Sequence, residues 1–108
     1  GVYVVTAEPR EVGRRLAIIA GARPAEAGSI ALGRCWIRLL TPDAFAERFP
    51  GSQVPQAPCL AAFAVRVADL QRARETVAPG LVVPAPAPCG GFWVDAPLAG
   101  GCVVEFTG

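Results

Sequence analysis

The chain has 108 residues, 53% of them hydrophobic, with a mean hydropathy of +0.43, which bounds it to one domain with a real core and excludes a disordered chain. No apolar run approaches the roughly eighteen residues needed to span a bilayer, and nothing reads as a signal peptide. The formal net charge is +1, and the ten arginines are scattered among nine carboxylates instead of clustering on one face, so nucleic-acid and membrane binding are both discounted.

Val2-Tyr3-Val4-Val5-Thr6-Ala7 is β-branched and aromatic and predicts a strand. Glu8-Pro9 opens a helix, since proline suits the first turn and acids suit the N-terminus. Val12, Leu16, Ile19 and Ala20 fall at helical spacing on one face, and Gly21 fits a C-cap. Ser29 to Leu32 and Cys35 to Leu40 read as two strands joined by a Gly33-Arg34 turn. Thr41-Pro42-Asp43 then starts a short helix, Ala44 to Phe49, which Pro50-Gly51 stops, and Asp43 reads as an N-cap.

Residues 51–58 are rich in Pro, Gln, Ser and Gly and form the natural linker, after which the plan repeats. A strand runs from about Leu60 to Val67. Asp69 caps a helix through about Val77 with a stripe of Leu70, Ala73 and Val77, which Pro79-Gly80 ends. Short strands follow near Leu81 to Val83, Phe92 to Val94 and Cys102 to Phe106. Pro84, Pro86 and Pro88 belong to an edge or an extended loop, because proline cannot donate to a ladder. The result is an internal duplication, with module one at about 1–50 and module two at about 59–108. A ferredoxin-like single sheet is the rival, but it needs fewer strands than this pattern supplies.

The four cysteines, Cys35, Cys59, Cys89 and Cys102, include no CxxC pair, and no histidine completes a zinc set. Cys35 and Cys102 sit inside apolar strands, so buried free thiols in a cytoplasmic chain are the better reading than disulfides. The absence of methionine, initiator included, suggests a processed or excised chain.

Ala64-Val65-Arg66-Val67-Ala68-Asp69-Leu70 and Ala99-Gly100-Gly101-Cys102-Val103-Val104-Glu105-Phe106 resemble the opening and closing strands of a βαβββ module of the glyoxalase-like, vicinal-oxygen-chelate superfamily. Leu39-Leu40-Thr41-Pro42-Asp43-Ala44-Phe45 is similar to a segment of some divergent members. The resemblance implies an α+β fold of two βαβββ-type modules forming curved mixed sheets around a cavity, with helices outside. It also implies metal ligands on the first and last strand of each module, at about Gly1, Ala62, Arg38 and Glu105. Only Glu105 can bind a cation, and divalent metals want three or four protein donors. The expectation is therefore no metal and no cofactor.

Alternation along each strand sends one set of side chains toward the helices and the other inward. The inward set holds Tyr3, Trp36, Arg38, Arg66, Trp93, Asp95 and Glu105, large aromatics with a few charges, which is the make-up of a small-molecule pocket. Read without a ligand, Glu105 with Arg66 or Arg38 is a cross-strand ion pair, the tryptophans are core or dimer-interface aromatics, and Asp69 is a cap. Three functions stay open. The first is a metal-independent domain holding an anionic or aromatic small molecule between the tryptophans, with Arg38 or Arg66 as counter-ion. The second is a lyase or isomerase with Glu105 as general base, the catalytic residue, and only Asp95 as an evident second group. The third is a structural module whose mixed face forms a homodimer.

Overall fold

The computed structural model describes residues 1–22, 28–52, 56–77, 82–84, 91–99 and 101–108. Among the described residues the chain is an α+β fold with mixed β-pairing and three α-helices. It divides into two compact units, Gly1–Ala61 and Ala62–Gly108. The expected helix stop at Pro79-Gly80, and Leu81, Pro86, Pro88, Cys89 and Gly100, lie outside the described residues.

Unit 1 contains β1 (Val2–Val5), α1 (Pro9–Ala20), β2 (Ser29–Leu32), β3 (Cys35–Leu40) and α2 (Pro42–Arg48). β1 runs parallel to β3, with Tyr3 beside Arg38 and Val5 beside Leu40. β2 and β3 form an antiparallel hairpin closed at Leu32 and Cys35, and its turn residue Gly33 has φ 61°. Among the described residues this is a βαββ unit followed by a helix, one strand fewer than the expected βαβββ module.

The α1 boundaries follow their local chemistry. Pro9 stands in the first turn, and Gly21 ends the helix at φ 64°, a conformation that costs glycine nothing, while the Ala22 N–H reaches back to the Ala17 carbonyl at 2.9 Å. The buried stripe differs from the expected one. Gly13 and Ala17 are buried and Val12 and Leu16 partly so, whereas Ile19 is 81% exposed and Ala20 is exposed too. The cause is close approach. A methyl built on Gly13 would stand 3.4 Å from a Leu39 methyl, so the helix settles on two small residues, four apart on one face. Ala17, Ile30 and Leu39 make the core there, with Val4 and Ile37 packed against them.

On the solvent side of α1, Glu11 accepts from Arg14 at 2.9 Å and from Arg15 at 3.0 Å. The Arg14 hydrogen bond and charge, aided by Arg15, hold the Glu11 carboxyl below its ordinary 4.5. A depressed carboxyl contributes stability above the unfolded value and loses it as pH falls through the folded one. The pair is fully exposed, so the effect on melting is small. A carboxyl-carbon titration by NMR should place the Glu11 midpoint below that of a free glutamate, and Arg14→Ala should raise it. An unshifted midpoint in the unmodified chain would show that the pair does not persist in solution.

In α2 the N-cap is Thr41 and not Asp43. The Thr41 hydroxyl accepts from the Ala44 N–H at 3.2 Å, Pro42 follows, and Asp43 is left exposed in the first turn. Phe45 and Phe49 are buried, and the Phe49 ring meets Tyr3 edge-on with centroids 5.4 Å apart. Alternation puts Tyr3 on the strand face opposite Val4, which packs under α1. The aromatic end of α2 therefore covers the face expected to line a cavity, so not every helix lies outside.

Unit 2 comprises the greater part of β4 (Cys59–Arg66), then α3 (Leu70–Thr76), β5 (Val82–Pro84), β6 (Phe92–Val94), a 3-10 turn (Ala96–Leu98) and β7 (Val103–Thr107). β4 is parallel to β7, β7 antiparallel to β6, and β6 antiparallel to β5. Among the described residues the elements of this unit run β-α-β-β-β, with Pro84 in a strand that pairs with β6. Asp69 caps α3 as expected, its carboxylate accepting from the Arg72 N–H at 3.1 Å. The α3 stripe is only half-buried, and the helix packs against β7. Arg74 lies over the Phe92 ring at 5.5 Å, and Phe92 stacks on Phe106. A helix of seven residues does not also cover β4, so Phe63 and Val65, expected under it, are 39% and 37% exposed.

The cysteine expectation needs the same kind of correction. Cys35 opens β3 at the hairpin and is exposed, while Cys59 and Cys102 are half-buried; all three are free thiols.

Candidate functional site

In unit 1, Tyr3, Trp36 and Arg38 stand together. The Tyr3 and Trp36 rings pack edge-on with centroids 5.0 Å apart, and the Arg38 guanidinium lies 4.9 Å from the Trp36 ring and 5.9 Å from Tyr3. Tyr3 is buried, Trp36 half-buried and Arg38 exposed. Gly1 runs so close to the indole that an added Cβ would overlap it. Arg38 thus already spends its charge on two π-faces, which an arginine guanidinium does well.

In unit 2, Glu105 of β7 sits between Ala64 of β4 and Trp93 of β6 in register, so the three share one face. Glu105 is 2% exposed and Trp93 1%, and neither lacks an interaction partner. Arg66 pairs in register with Thr107, two residues along the same face, and is exposed. Asp95 is half-buried, and its carboxylate accepts from the Ala96 N–H at 2.8 Å, where it caps the 3-10 turn. The inward set is therefore split between closed and open surroundings. Tyr3, Trp93 and Glu105 are packed, and Arg38 and Arg66 reach solvent.

A closed Glu105 has an energetic consequence. Swapping its carboxylate for an amide places a donor where an acceptor was buried, which costs about 1–3 kcal/mol. Glu105→Gln should lower the melting temperature by at least several degrees, at roughly 4–8 °C per kcal/mol for a domain of this size. Small-molecule binding should be unchanged. An unchanged melting temperature with binding abolished would instead put the ligand on this face.

Space for a ligand is found elsewhere in unit 1. A cleft of about 580 Å³ opens where β1 and β3 end and α1 and α2 begin. Its apolar lining comes from Pro9, Leu39, Leu40 and Ala44, beside Gly28. Glu8, Arg10, Glu11 and Thr41 complete it. The position follows from topology. β1 and β3 are parallel, so both chains leave the sheet at the same end, and each turns directly into a helix there. The gap between two such strand-to-helix turns is where open α/β sheets form ligand crevices. None of these residues stood among the expected site residues. The signal was present in the two strand-to-helix turns, Thr6-Ala7-Glu8-Pro9 and Leu40-Thr41-Pro42, which read as element boundaries and nothing more.

Among the described residues no three His, Cys, Asp or Glu side chains come together as a metal-holding group, and no helix is long and apolar enough to cross a membrane. Comparison with protein families, with curated proteins and with solved structures finds no match.

Proposed function

We propose that this chain is a metal-independent small-molecule-binding domain, related to metal-free glyoxalase-like proteins, whose ligand occupies the cleft of unit 1. The observation that carries the reading is that cleft, about 580 Å³, within the range of natural small-molecule sites and lined by apolar side chains with a few polar groups. The kinship rests on a plan run twice. Each unit begins with a strand and a helix, and its last strand returns parallel to its first. The ligand is placed in the cleft, and not between the tryptophans, because Trp93 is enclosed and Tyr3 is covered by Phe49. Catalysis by Glu105 has less support, since a general base must meet its substrate and this carboxylate is 2% exposed.

The test is a melting-temperature panel of small molecules on chelator-treated protein. A ligand that binds only the folded chain raises the midpoint by mass action, by about 2.7 kcal/mol of stability at a hundredfold excess over its dissociation constant. At least one organic compound should raise it with chelator present. A panel in which only divalent metals, or compounds that require them, shift the midpoint overturns the proposal.

A further inference from the structure

We infer that the ligand of the unit 1 cleft is a compact, neutral, apolar or aromatic molecule, and not the anion that the arginines of the sheet face suggested; this rests on the reading of the cleft as the binding site. The ground is the state of the polar groups around it. The Leu40 carbonyl accepts from the Thr6 N–H at 2.9 Å, and the Leu39 N–H donates to the Gly28 carbonyl at 2.7 Å. The Thr41 hydroxyl accepts from the Ala44 N–H at 3.2 Å, and the Thr41 carbonyl from the Phe45 N–H at 2.9 Å. The Glu11 carboxylate is engaged by Arg14 and Arg15.

These groups of the cleft wall are thus committed to the fold itself, and the wall between them is the apolar one of Pro9, Leu39, Leu40 and Ala44. A polar ligand entering here would lose its hydrogen bonds to water and find these partners taken, which is the costly way to bury a polar group. An apolar ligand loses nothing of that kind and covers Pro9, Leu39, Leu40 and Ala44. The charged side chains left for contact, Glu8 and Arg10, are exposed at the rim and of opposite sign, so they favour neither an anion nor a cation. A single polar end on the ligand would point there.

The experiment titrates the full chain with N-phenyl-1-naphthylamine, a neutral dye whose fluorescence rises in apolar surroundings. Inorganic phosphate and methylammonium serve as charged competitors. The expected result is saturable binding of one dye per chain whose affinity changes less than about twofold between about 0.02 M and about 0.5 M salt, because no charge pair is screened. Neither ion should displace the dye. Ala44→Phe, which fills the cleft, should weaken the dye by about tenfold or more. Should that variant fail to fold, an amide shift map of the unmodified chain decides instead, with the largest dye-induced shifts expected at Gly28, Leu39, Leu40, Thr41 and Ala44.

Displacement by phosphate or methylammonium, or affinity that falls steeply with salt, overturns the ligand class and leaves the cleft as a site. Absence of saturable dye binding also overturns the class, and the binding-site reading falls with it only when the melting panel fails too. Shifts centred on exposed Ile18, Ile19 or Phe63, with Ala44→Phe inert, overturn both.

Discussion

Replacing Phe49 by alanine is expected to bring the chain close to unfolding at room temperature. Phe49 is fully buried at the end of α2 and joins two rings, Tyr3 edge-on at 5.4 Å and Phe45 at 5.1 Å. Truncating a buried phenylalanine costs about 3–5 kcal/mol in transfer and cavity terms, and aromatic pairs add about 0.5–1.5 kcal/mol each. A domain of this length has roughly 5–15 kcal/mol in total. Arg48, whose guanidinium lies over the same ring at 5.6 Å, loses its platform as well. Chemical denaturation should show the midpoint falling sharply, with Phe49→Leu losing much less. A loss under about 1 kcal/mol for the alanine variant would mean that α2 does not pack on Tyr3, because a cavity of that size cannot be so cheap.

Gly91→Ala is the second large effect. Gly91 precedes β6, and an added Cβ would collide with the Phe106 carbonyl oxygen on β7. The obstacle is backbone, not the tip of a side chain, so relief requires moving one strand against the other. Overpacking of this kind costs about 1–3 kcal/mol or more, and here it strikes the ladder that aligns Trp93 with Glu105. The expected outcome is a melting temperature lower by roughly 4–8 °C for each kcal/mol lost, with near-ultraviolet dichroism of the Trp93 environment altered. Wild-type melting in the alanine variant would contradict the close approach of β6 and β7 at this point.

Much of the fold was legible because its signals are local. Pro9 and Gly21 delimit α1, Gly33 makes the hairpin turn, Asp69 caps α3, and two-residue alternation in β1, β3, β6 and β7 assigned Tyr3, Trp36, Trp93 and Glu105 to their faces. What was not legible depended on what a neighbour does. Ile19 looked like a core residue because it is large and periodic, but α1 rests on Gly13 and Ala17, whose smallness matters only once Leu39 lies beneath them. Phe63 and Val65 were given a helix to cover them, and the length of α3 decided otherwise. Cys35 reads as an interior thiol by composition, yet a strand's first residue beside a tight turn meets solvent.

The site was less legible than the fold for a related reason. Residue type marked Tyr3, Trp36, Arg38, Arg66, Trp93, Asp95 and Glu105, and the pattern assigned their faces, but pattern cannot report whether a face is open. Phe49 closes over Tyr3, and Arg38 rests on Trp36 and Tyr3. The cleft is built from Leu39, Leu40, Ala44 and Pro9, residues without distinctive chemistry, and it exists because two parallel strands end side by side. No scan for charged or aromatic residues finds such a site. Only the pairing of β1 with β3 does.

The most direct measurement is a crystal structure of the chelator-treated chain grown with the strongest compound from the melting panel. The account predicts electron density for that compound in the unit 1 cleft, against Leu39, Leu40 and Ala44, with the Tyr3–Phe49 and Trp93–Glu105 packing unchanged. Density for the compound on the Trp36–Arg38 face, or beside Glu105, with the cleft empty, would contradict it.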